Sequence, residues 1–228
     1  MEIQIAPAKK QSGVFRVQGI PGVQLATQNA VPGIAVYGER LFSIKNREYR
    51  EFSHKRSKIA SSILSGLKIP YLKPTSRVLY LGASTGTTVS HLSDILTKGV
   101  IFAVEFAPRP MRDLLEMASL RENIIPIHGD ARYPEQYSDI VDGVDFVFCD
   151  VAQPNQSELF LENVRSFLKP GGGAMIAVKS RSISQAKSPD QIFSEQREFL
   201  EKGGLLLERS VNISKYHKDH EVFLFKWN

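Results

Sequence analysis

The sequence predicts an α/β fold in which a small β-rich N-terminal domain precedes a Rossmann-like domain with a seven-stranded, mostly parallel sheet. A short apolar run over 78–81 stops at Gly82, and Gly86 precedes a helical pattern of apolar side chains. A strand, a glycine turn and a helix in this order open a nucleotide-type sheet. Strand and helix patterns then alternate, which is typical of a parallel sheet with helices on both faces. Residues 1–52 instead alternate short apolar runs with Gly, Pro and Asn, as hairpins do.

The order of the predicted elements divides the chain into domains 1–53 and 54–228. Ser53 is the expected N-cap of a first helix, which carries Ile59 and Ile63 on one face. Strands are then predicted over 77–82, 100–105, 124–128, 145–150, 173–179, 205–213 and 219–227. Helices are predicted over 86–97, 110–121, 155–168 and 189–202, with Asn155 as a candidate N-cap of the third. No helix-length segment separates the last two strands, so we expect them to pair antiparallel.

The composition narrows the class of protein. Of the 228 residues, 42% are hydrophobic, which is ordinary for a globular chain. We expect no membrane span and no signal peptide, because no apolar stretch reaches about 18 residues and the first residues lack a charged-then-apolar run. Cys149 is the single cysteine, so an intramolecular disulfide is excluded and a reducing, intracellular compartment is the simplest expectation.

The positive charge of the chain is concentrated in its first third. Residues 1–76 carry twelve basic and four acidic side chains, a balance of +8, whereas residues 77–228 have a balance of −3. The densest stretch contains Lys45, Arg47, Arg50, Lys55, Arg56 and Lys58. This asymmetry favours a polyanionic partner, nucleic acid above all, with a solvated basic surface as the alternative.

Polar groups follow four predicted strands, and ligands bind at such strand ends in open α/β sheets. The first is the loop from Gly82 to Thr88, and the other three are Glu105, Asp130 and Asp150. Glu105 suits the hydroxyls of a ribose, and Asp130 suits an adenine amino group. The glycine spacing is G-x-x-x-G, which favours S-adenosylmethionine over a dinucleotide. The set therefore predicts a class I methyltransferase, with a NAD-dependent dehydrogenase as the alternative, although each acid alone could be a helix cap or an ion-pair partner.

The residues after the fourth strand bear on the methyl acceptor. The segment from Asp150 to Pro154 lacks the Pro-Pro-aromatic pattern common in amine methylation. Cys149 precedes Asp150 in a strand and points to the opposite face, so we interpret it as a buried, inert thiol. An oxygen acceptor such as a ribose 2′-hydroxyl needs groups that hold the hydroxyl and stabilise negative charge.

Two lysines and two histidines are candidates for that task. Lys179 ends the fifth strand, beside Asp150 in the usual sheet order, and Lys58 lies on the first helix. For both lysines the alternative is a solvated surface side chain. His217 and His220 precede the last strand, where a turn role is the alternative. The five histidines show no metal-ligand spacing, so no metal is expected.

Ten segments of the chain resemble the fibrillarin family, the methyltransferases of box C/D ribonucleoproteins. They are Asn29-Ala-Val-Pro-Gly33, Val36-Tyr-Gly-Glu-Arg40, Arg56-Ser-Lys-Ile-Ala60, Val78-Leu-Tyr-Leu-Gly-Ala83, Gly86-Thr-Thr-Val-Ser-His-Leu-Ser-Asp94, Val104-Glu-Phe-Ala-Pro-Arg109, Gly129-Asp-Ala-Arg132, Asp150-Val-Ala-Gln-Pro154, Val178-Lys-Ser-Arg-Ser182 and Asp219-His220. The resemblance covers nearly the whole chain. The sequence lacks the Gly-Arg-rich tail of the eukaryotic proteins and is similar to the archaeal form, which implies a cytoplasmic protein.

The resemblance implies guide-RNA-directed ribose 2′-O-methylation of rRNA, and of tRNA, with S-adenosylmethionine as cofactor. It implies a Nop-type scaffold protein, a kink-turn-binding ribosomal-like protein and a box C/D guide RNA as partners. With the glycine loop, the expected cofactor-binding residues are Gly82, Ala83, Thr87, Thr88, Glu105, Phe106, Asp130, Ala131, Asp150 and Gln153. The implied catalytic residues are Lys58, Asp150, Lys179 and His220.

The chain departs from the family pattern at two places. Gly82-Ala-Ser-Thr-Gly86 replaces the usual Gly-Ala-Ala-Ser-Gly, which exchanges small residues for small ones, and His217 stands where the family usually has Glu or Asp. We expect Asp150 to orient Lys179, and Lys179 to assist deprotonation of the ribose hydroxyl. The rival hypotheses are a non-catalytic RNA-binding subunit and a small-molecule O-methyltransferase. Phe102, Phe106 and Met111 belong to the core or to an interface, and the core is the expectation.

Overall fold

The N-terminal part of the chain forms a curled, five-stranded antiparallel sheet. The computed structural model describes residues 2–8 and 11–228. The strands of this sheet are β1 (Gln4–Pro7), β2 (Val14–Gln18), β3 (Leu25–Gln28), β4 (Leu41–Ile44) and β5 (Arg47–Glu51), in the spatial order β1-β2-β3-β5-β4. The predicted β-rich N-terminal part is confirmed. The predicted domain boundary after residue 53 falls between β5 and the first helix and stays a prediction.

A seven-stranded sheet follows, as predicted. Its strands are β6 (Arg77–Leu81), β7 (Val100–Glu105), β8 (Ile124–His128), β9 (Val144–Cys149), β10 (Leu168–Lys179), β11 (Leu205–Asn212) and β12 (His220–Trp227), in the order β11-β12-β10-β9-β6-β7-β8. Strands β6 to β10 are parallel, and β12 is antiparallel to both β10 and β11, which confirms the expected pairing of the last two strands. The strand order reverses between β6 and β9, and a crevice for a ligand opens at such a point.

Helices cover both faces of the seven-stranded sheet. They are α1 (Lys58–Leu64), α2 (Thr87–Ile95), α3 (Pro108–Ala118), α4 (Gln156–Phe167), α5 (Ser180–Ile183) and α6 (Pro189–Lys202), with a 3-10 turn at Pro134–Tyr137. Apolar side chains of α1, α2 and α3 share one buried cluster, and those of α4 and α6 share another. Within the described residues, no helix combines the length and the apolar character that a membrane crossing requires.

Several element ends differ from the sequence predictions. Ser57, not Ser53, is the N-cap of α1, and its side chain accepts a hydrogen bond from the Ala60 amide. Asn155 occupies the N-cap position of α4 but makes no side-chain capping bond. Strand β10 begins at Leu168 rather than at 173, because its pairing with β9 continues past a register shift before Gly173.

A buried ionic cluster joins the N-terminal sheet to helix α2 through Arg50 on β5. This fully buried guanidinium lies 2.7 Å from a carboxylate oxygen of Glu39 and 2.7 Å from one of Asp94 on α2. Arg121 pairs with the other oxygen of Asp94 at 2.8 Å. The prediction that Arg50 belongs to an exposed basic surface is therefore wrong, because its guanidinium is buried and paired with carboxylates.

Of the three side chains expected in the core, Phe102, Phe106 and Met111, two are buried. Phe102 is 2% exposed and Met111 is 6% exposed. Phe106 is 60% exposed, so the core assignment is wrong for this residue. It follows β7 by one residue, where the chain has already left the sheet.

Candidate active site

The two glycines of the loop after β6 are required by the protein's own packing. Gly82 has a φ of +79°, and a Cβ there would lie 2.8 Å from the carbonyl oxygen of Asp150. Gly86 has a φ of +85°, and a Cβ there would lie 2.3 Å from the end of Met117 on α3. The sequence interpretation, close approach to a ligand, is therefore incomplete: these glycines let the loop approach the end of β9 and the side of α3.

A cleft of about 310 Å³ opens at the carboxyl ends of β6, β7, β8 and β9, where the strand order reverses. Seven of the ten expected cofactor residues line it: Gly82, Glu105, Phe106, Asp130, Ala131, Asp150 and Gln153. Ser84 of the predicted loop and Gly129 beside Asp130 also line it, and the sequence analysis did not single out the other lining residues, which are Val104, Ala107, Val151, Ala152 and Leu159. Most of these are sequence neighbours of a strand-end residue, and that adjacency is the signal that would have found them.

Three expected cofactor residues do not line this cleft. Ala83 is buried, and Thr87 is the half-buried first residue of α2. Thr88 is buried, and its hydroxyl donates to the hydroxyl of Ser57 at 3.1 Å. Thr88 thus connects the start of α2 to the cap of α1.

Glu105 is held by backbone amides of the loops after β6 and β7. One carboxylate oxygen accepts from the Ser84 amide at 2.7 Å, and the other accepts from the Ala107 amide at 2.7 Å. A carboxylate has about four acceptor positions, so others remain for a ligand's hydroxyl groups. The geometry suits the expected contact of Glu105 with a ribose.

Asp130 is fixed by an arginine two residues later, which the sequence analysis missed. The guanidinium of Arg132 lies 2.6 Å from one Asp130 oxygen, and the Arg132 amide donates to the other oxygen at 3.0 Å. These hydrogen bonds and the charge of Arg132 hold the pKa of Asp130 below its ordinary value, against a smaller opposing effect of burial. Asp130 is therefore an ionised acceptor at the edge of the cleft.

Lys58 and Asp150 form a close ion pair. The Lys58 ammonium lies 2.8 Å from Oδ1 of Asp150 and 2.9 Å from Oδ2. The lysine and aspartate side chains are 22% and 18% exposed, so the alternative of a solvated surface Lys58 is wrong. Asp150 also lines the cleft, so the same carboxylate contacts the cleft and the Lys58 ammonium.

Lys179 ends β10, beside β9, as the sequence predicts. We expected Asp150 to orient this lysine, but among the described contacts the ion-pair partner of Asp150 is Lys58. The Lys179 amide donates to the side-chain oxygen of Gln156 at 3.2 Å, and Lys179 faces His220 across the antiparallel pair of β10 and β12. The sheet therefore brings Lys179 next to His220.

The two histidines near β12 have defined hydrogen bonds. Nδ1 of His220 donates to the Lys218 carbonyl at 2.7 Å, which leaves a lone pair on its Nε2. Nε2 of His217 donates to the His54 carbonyl at 2.9 Å. Burial, together with the charge of Lys58, holds the pKa of both imidazoles below the ordinary value. Both rings are therefore neutral at neutral pH.

Cys149 is buried, as expected for an inert thiol. Burial raises its pKa to about 12. The thiolate needed for nucleophilic attack is therefore absent at neutral pH. Across the described residues, no group of three or more His, Cys, Asp and Glu side chains is arranged to hold a metal ion.

The charge of the cleft decides which cofactor it fits. Its described lining includes the carboxylates of Glu105, Asp130 and Asp150 and no basic side chain. Arg132 and Lys58 pair with Asp130 and Asp150 but do not line the cleft. A pyrophosphate would therefore meet carboxylates and no cation in the lining, whereas a sulfonium cation with ribose and adenine groups would meet acceptors. The donor set therefore fits S-adenosylmethionine better than a dinucleotide.

Comparison with known proteins agrees with this geometry. The family model described as fibrillarin matches residues 5–228. A fibrillarin-like rRNA/tRNA 2′-O-methyltransferase of Methanocaldococcus jannaschii is 48% identical over 204 residues, which are 90% of this chain and 89% of that protein. Aeropyrum pernix fibrillarin, solved with natively bound S-adenosyl-L-methionine, is 42% identical with a TM-score of 0.90, covering 98% of this chain and 99% of that one. A fibrillarin from a fibrillarin/Nop5p complex is 40% identical with a TM-score of 0.82, covering 90% and 94%.

Proposed function

The chain belongs to the fibrillarin family, and from this premise we propose that it transfers a methyl group from S-adenosylmethionine to the ribose 2′-hydroxyl of rRNA, and also of tRNA. In this proposal it is the catalytic subunit of a box C/D ribonucleoprotein. The observation that carries the proposal is the Lys58–Asp150 ion pair at the edge of a carboxylate-lined cleft. The names of the similar proteins support the substrate class.

The cleft residues have separate binding roles in this proposal. Glu105 accepts hydrogen bonds from the cofactor's ribose hydroxyls, and Asp130 accepts from its adenine amino group. The loop from Gly82 to Thr88 lies beside the methionine part. Phe106, whose ring is largely exposed, contacts the adenine. The bound cofactor supplies an electrophilic methyl group on a cationic sulfur.

The reacting hydroxyl needs groups that orient it and take its proton. Methyl transfer forms a bond from the ribose oxygen to the methyl carbon, breaks the sulfur–carbon bond and releases the hydroxyl proton. Lys58, held by Asp150, and Lys179 supply positive charge that stabilises the developing alkoxide. The Nε2 lone pair of His220, next to Lys179, is a neutral acceptor within the same group of residues.

Exposed basic side chains surround this group and suit an RNA substrate. Lys55 and Arg56 lie on the turn before α1, and Lys215 and Lys218 lie on the loop before β12. A patch of this size gives mostly salt-sensitive, non-specific affinity, so a guide must supply the choice of target. We therefore propose a Nop-type scaffold, a kink-turn-binding protein and a box C/D guide RNA as partners, with the particle in the cytoplasm; the fibrillarin/Nop5p complex supports the scaffold.

The test is methyl transfer from radiolabelled S-adenosylmethionine to a guide-paired RNA. A normal target nucleotide is compared with one whose 2′-hydroxyl is replaced by hydrogen, with and without the scaffold and kink-turn proteins. Transfer that requires both the hydroxyl and the partners is expected. Transfer to the deoxy target would move the chemistry to a base, and absence of transfer with the cofactor bound would indicate a scaffolding subunit.

Lys179→Ala separates chemistry from cofactor binding in the same assay. Lys179 is absent from the cofactor cleft lining, so its loss is expected to abolish turnover and to leave cofactor affinity nearly intact. Equilibrium binding of the cofactor and single-turnover transfer report the two effects. Turnover at the wild-type rate would remove Lys179 from the catalytic group.

A further inference from the structure

We infer that His217 is a positioning residue that keeps Lys58 against Asp150 by tying the loop before β12 to the turn before α1. The inference rests on the proposed function, because it assigns a role in that reaction. His217 does not line the cleft and lies outside the predicted catalytic group.

The tie is a hydrogen bond between two segments far apart in sequence. Nε2 of His217 donates to the carbonyl of His54 at 2.9 Å. A second contact supports it, because the rings of His54 and Tyr216 meet edge to face with centroids 4.8 Å apart. The amides of Tyr216 and His217 both donate to the carbonyl of Ile213, which is fully buried. The backbone at His217 is therefore held in place by hydrogen bonds to a buried residue.

The other end of the tie controls where α1 begins. The carbonyl of Ser53 accepts from the amides of Arg56 and Ser57, so 53–57 is a compact turn. Ser57 caps α1, and Lys58 is the first residue of that helix. A shift of the His54 carbonyl would therefore move the backbone from which the Lys58 side chain reaches Asp150.

The charges around His217 give this role a distinctive pH dependence. The charges of Lys58 on α1, Asp150 after β9 and His220 on β12 act on the pKa of its ring, and the His217 and His220 centroids are 5.9 Å apart. Burial first, and then the charge of Lys58, hold the pKa of His217 below its ordinary value. When the ring gains a proton at acid pH, it repels Lys58 and attracts Asp150, which weakens the ion pair. Loss of turnover on the acid side follows.

The experiment measures kcat, KM for RNA and cofactor affinity across pH 5.5 to 9 in the assembled particle, for two variants. His217→Ala removes the tie, and a lost hydrogen bond corresponds to a decrease in kcat of about tenfold at pH 8, a difference that narrows at acid pH because alanine cannot titrate. KM and cofactor affinity stay near wild type. His217→Gln keeps an N–H donor but cannot titrate. At pH 8 its kcat is expected to stay within about threefold of wild type, which is a smaller effect than the loss of one hydrogen bond. At acid pH its kcat is expected to fall less steeply than that of the wild type, because glutamine cannot gain a proton.

Lys226→Gln is the matched control, because it removes a charge from an exposed lysine at the end of β12 remote from His217 and His54. It is expected to leave the kcat profile unchanged. Thermal unfolding of each variant identifies a folding defect; if His217→Ala is unfolded, His217→Gln decides alone. A wild-type kcat profile in His217→Gln would overturn the inference while the proposed function stands. Absence of transfer by the wild-type particle would instead refute the proposed function, and the inference with it.

Discussion

At the scale of single residues, Asp150 is the group on which the site depends. It lines the cofactor cleft, and both of its oxygens lie within 3 Å of the Lys58 ammonium. Its backbone carbonyl also faces Gly82. One carboxylate therefore connects the position of the cofactor to the position of the cation that faces the substrate. A substitution of Lys58 is therefore expected to lower turnover more than it lowers the stability of the protein.

Lys58→Met tests this separation. The substitution keeps most of the apolar stem but removes the ammonium, so we expect turnover to fall by about 10²- to 10³-fold, the range for loss of one group that stabilises charge in the transition state. The ion pair is partly buried, so we expect a loss of stability between the about 0–1 kcal/mol of an exposed pair and the about 3–5 kcal/mol of a fully buried one. Single-turnover transfer and thermal unfolding measure the two effects.

The control for Lys58→Met is Lys68→Met, an exposed lysine after α1. It should retain turnover and stability. Cofactor affinity of Lys58→Met should be unchanged or tighter, because the unpaired Asp150 attracts a cationic cofactor more strongly. Turnover within about threefold of wild type, less than 1 kcal/mol of transition-state stabilisation, would contradict the role of Lys58.

At the scale of elements, the site exists because four parallel strands end at one edge and the loops after them meet. The loop after β6 approaches the end of β9 so closely that no side chain fits at Gly82. The same loop donates the Ser84 amide to Glu105 after β7. These contacts fix the shape of the cleft before any ligand binds.

Gly82→Ala and Gly33→Ala separate two reasons for glycine. Both residues have positive φ, at +79° and +84°, so each substitution costs about 1–2 kcal/mol of conformational energy. A Cβ at Gly33 would meet nothing within 4 Å, whereas one at Gly82 would meet the Asp150 backbone. We expect Gly82→Ala to be the less stable by about another 1–3 kcal/mol and to lose cofactor affinity, as overpacking predicts. Urea unfolding and cofactor titration measure both; equal effects would show that close approach is unimportant.

Element types and order could be predicted from the sequence because they depend on apolar periodicity and glycine placement. The ends of elements could not, because they depend on contacts with distant residues. Ser53 and Ser57 are equally good N-caps by residue type, and the choice is made by the turn that ends with Ser57 and by the bond from Thr88. The cap of α1 was therefore predicted four residues early.

The site shows the same division between local and distant information. Strand-end acids could be predicted, because the chain after each strand must emerge at the same edge. The partner of Asp150 could not, since Lys58 and Lys179 are of the same type and only the packing of α1 decides between them. Arg50 was placed in a basic stretch for the same reason: its partners Glu39 and Asp94 belong to other elements.

At the scale of the whole molecule, polar contacts connect the N-terminal part to helix α2. His91 on α2 lies with Nδ1 2.8 Å from the hydroxyl of Thr27 and with Nε2 2.9 Å from the hydroxyl of Tyr37. Thr27 also donates to Asp94 at 2.6 Å. Thr27 is on β3 of the first sheet and Tyr37 follows that strand, whereas His91 and Asp94 are on α2, whose apolar side chains pack with the seven-stranded sheet, so these contacts tie the N-terminal part to that helix. A charge change here should affect the stability of the whole chain.

Protonation of two side chains of this cluster, His91 and Glu39, lowers the stability of the protein in different pH ranges. The pKa of His91 lies well below its ordinary value because the ring is buried and faces Arg50 and Arg121. Burial alone would raise the pKa of Glu39, but hydrogen bonds from Tyr37, Val36 and Arg50 hold it below its ordinary value. His91 therefore opposes folding once the unfolded chain takes up its proton, below about pH 6.5. Glu39 contributes stability that is lost only at lower pH, as the pH falls through its folded pKa.

We therefore predict that the free energy of unfolding falls between pH 7 and pH 5, and that His91→Gln reduces this slope. One proton taken up only by the unfolded state changes stability by at most about 1.4 kcal/mol per pH unit. His54, His217 and His220 also have lowered pKa values, so part of the slope persists in the variant. Urea unfolding at pH 7, 6 and 5 gives the slope independently of any constant loss of stability. An unchanged slope in His91→Gln would mean that His91 is already protonated in the folded protein, with Asp94 as its counter-ion.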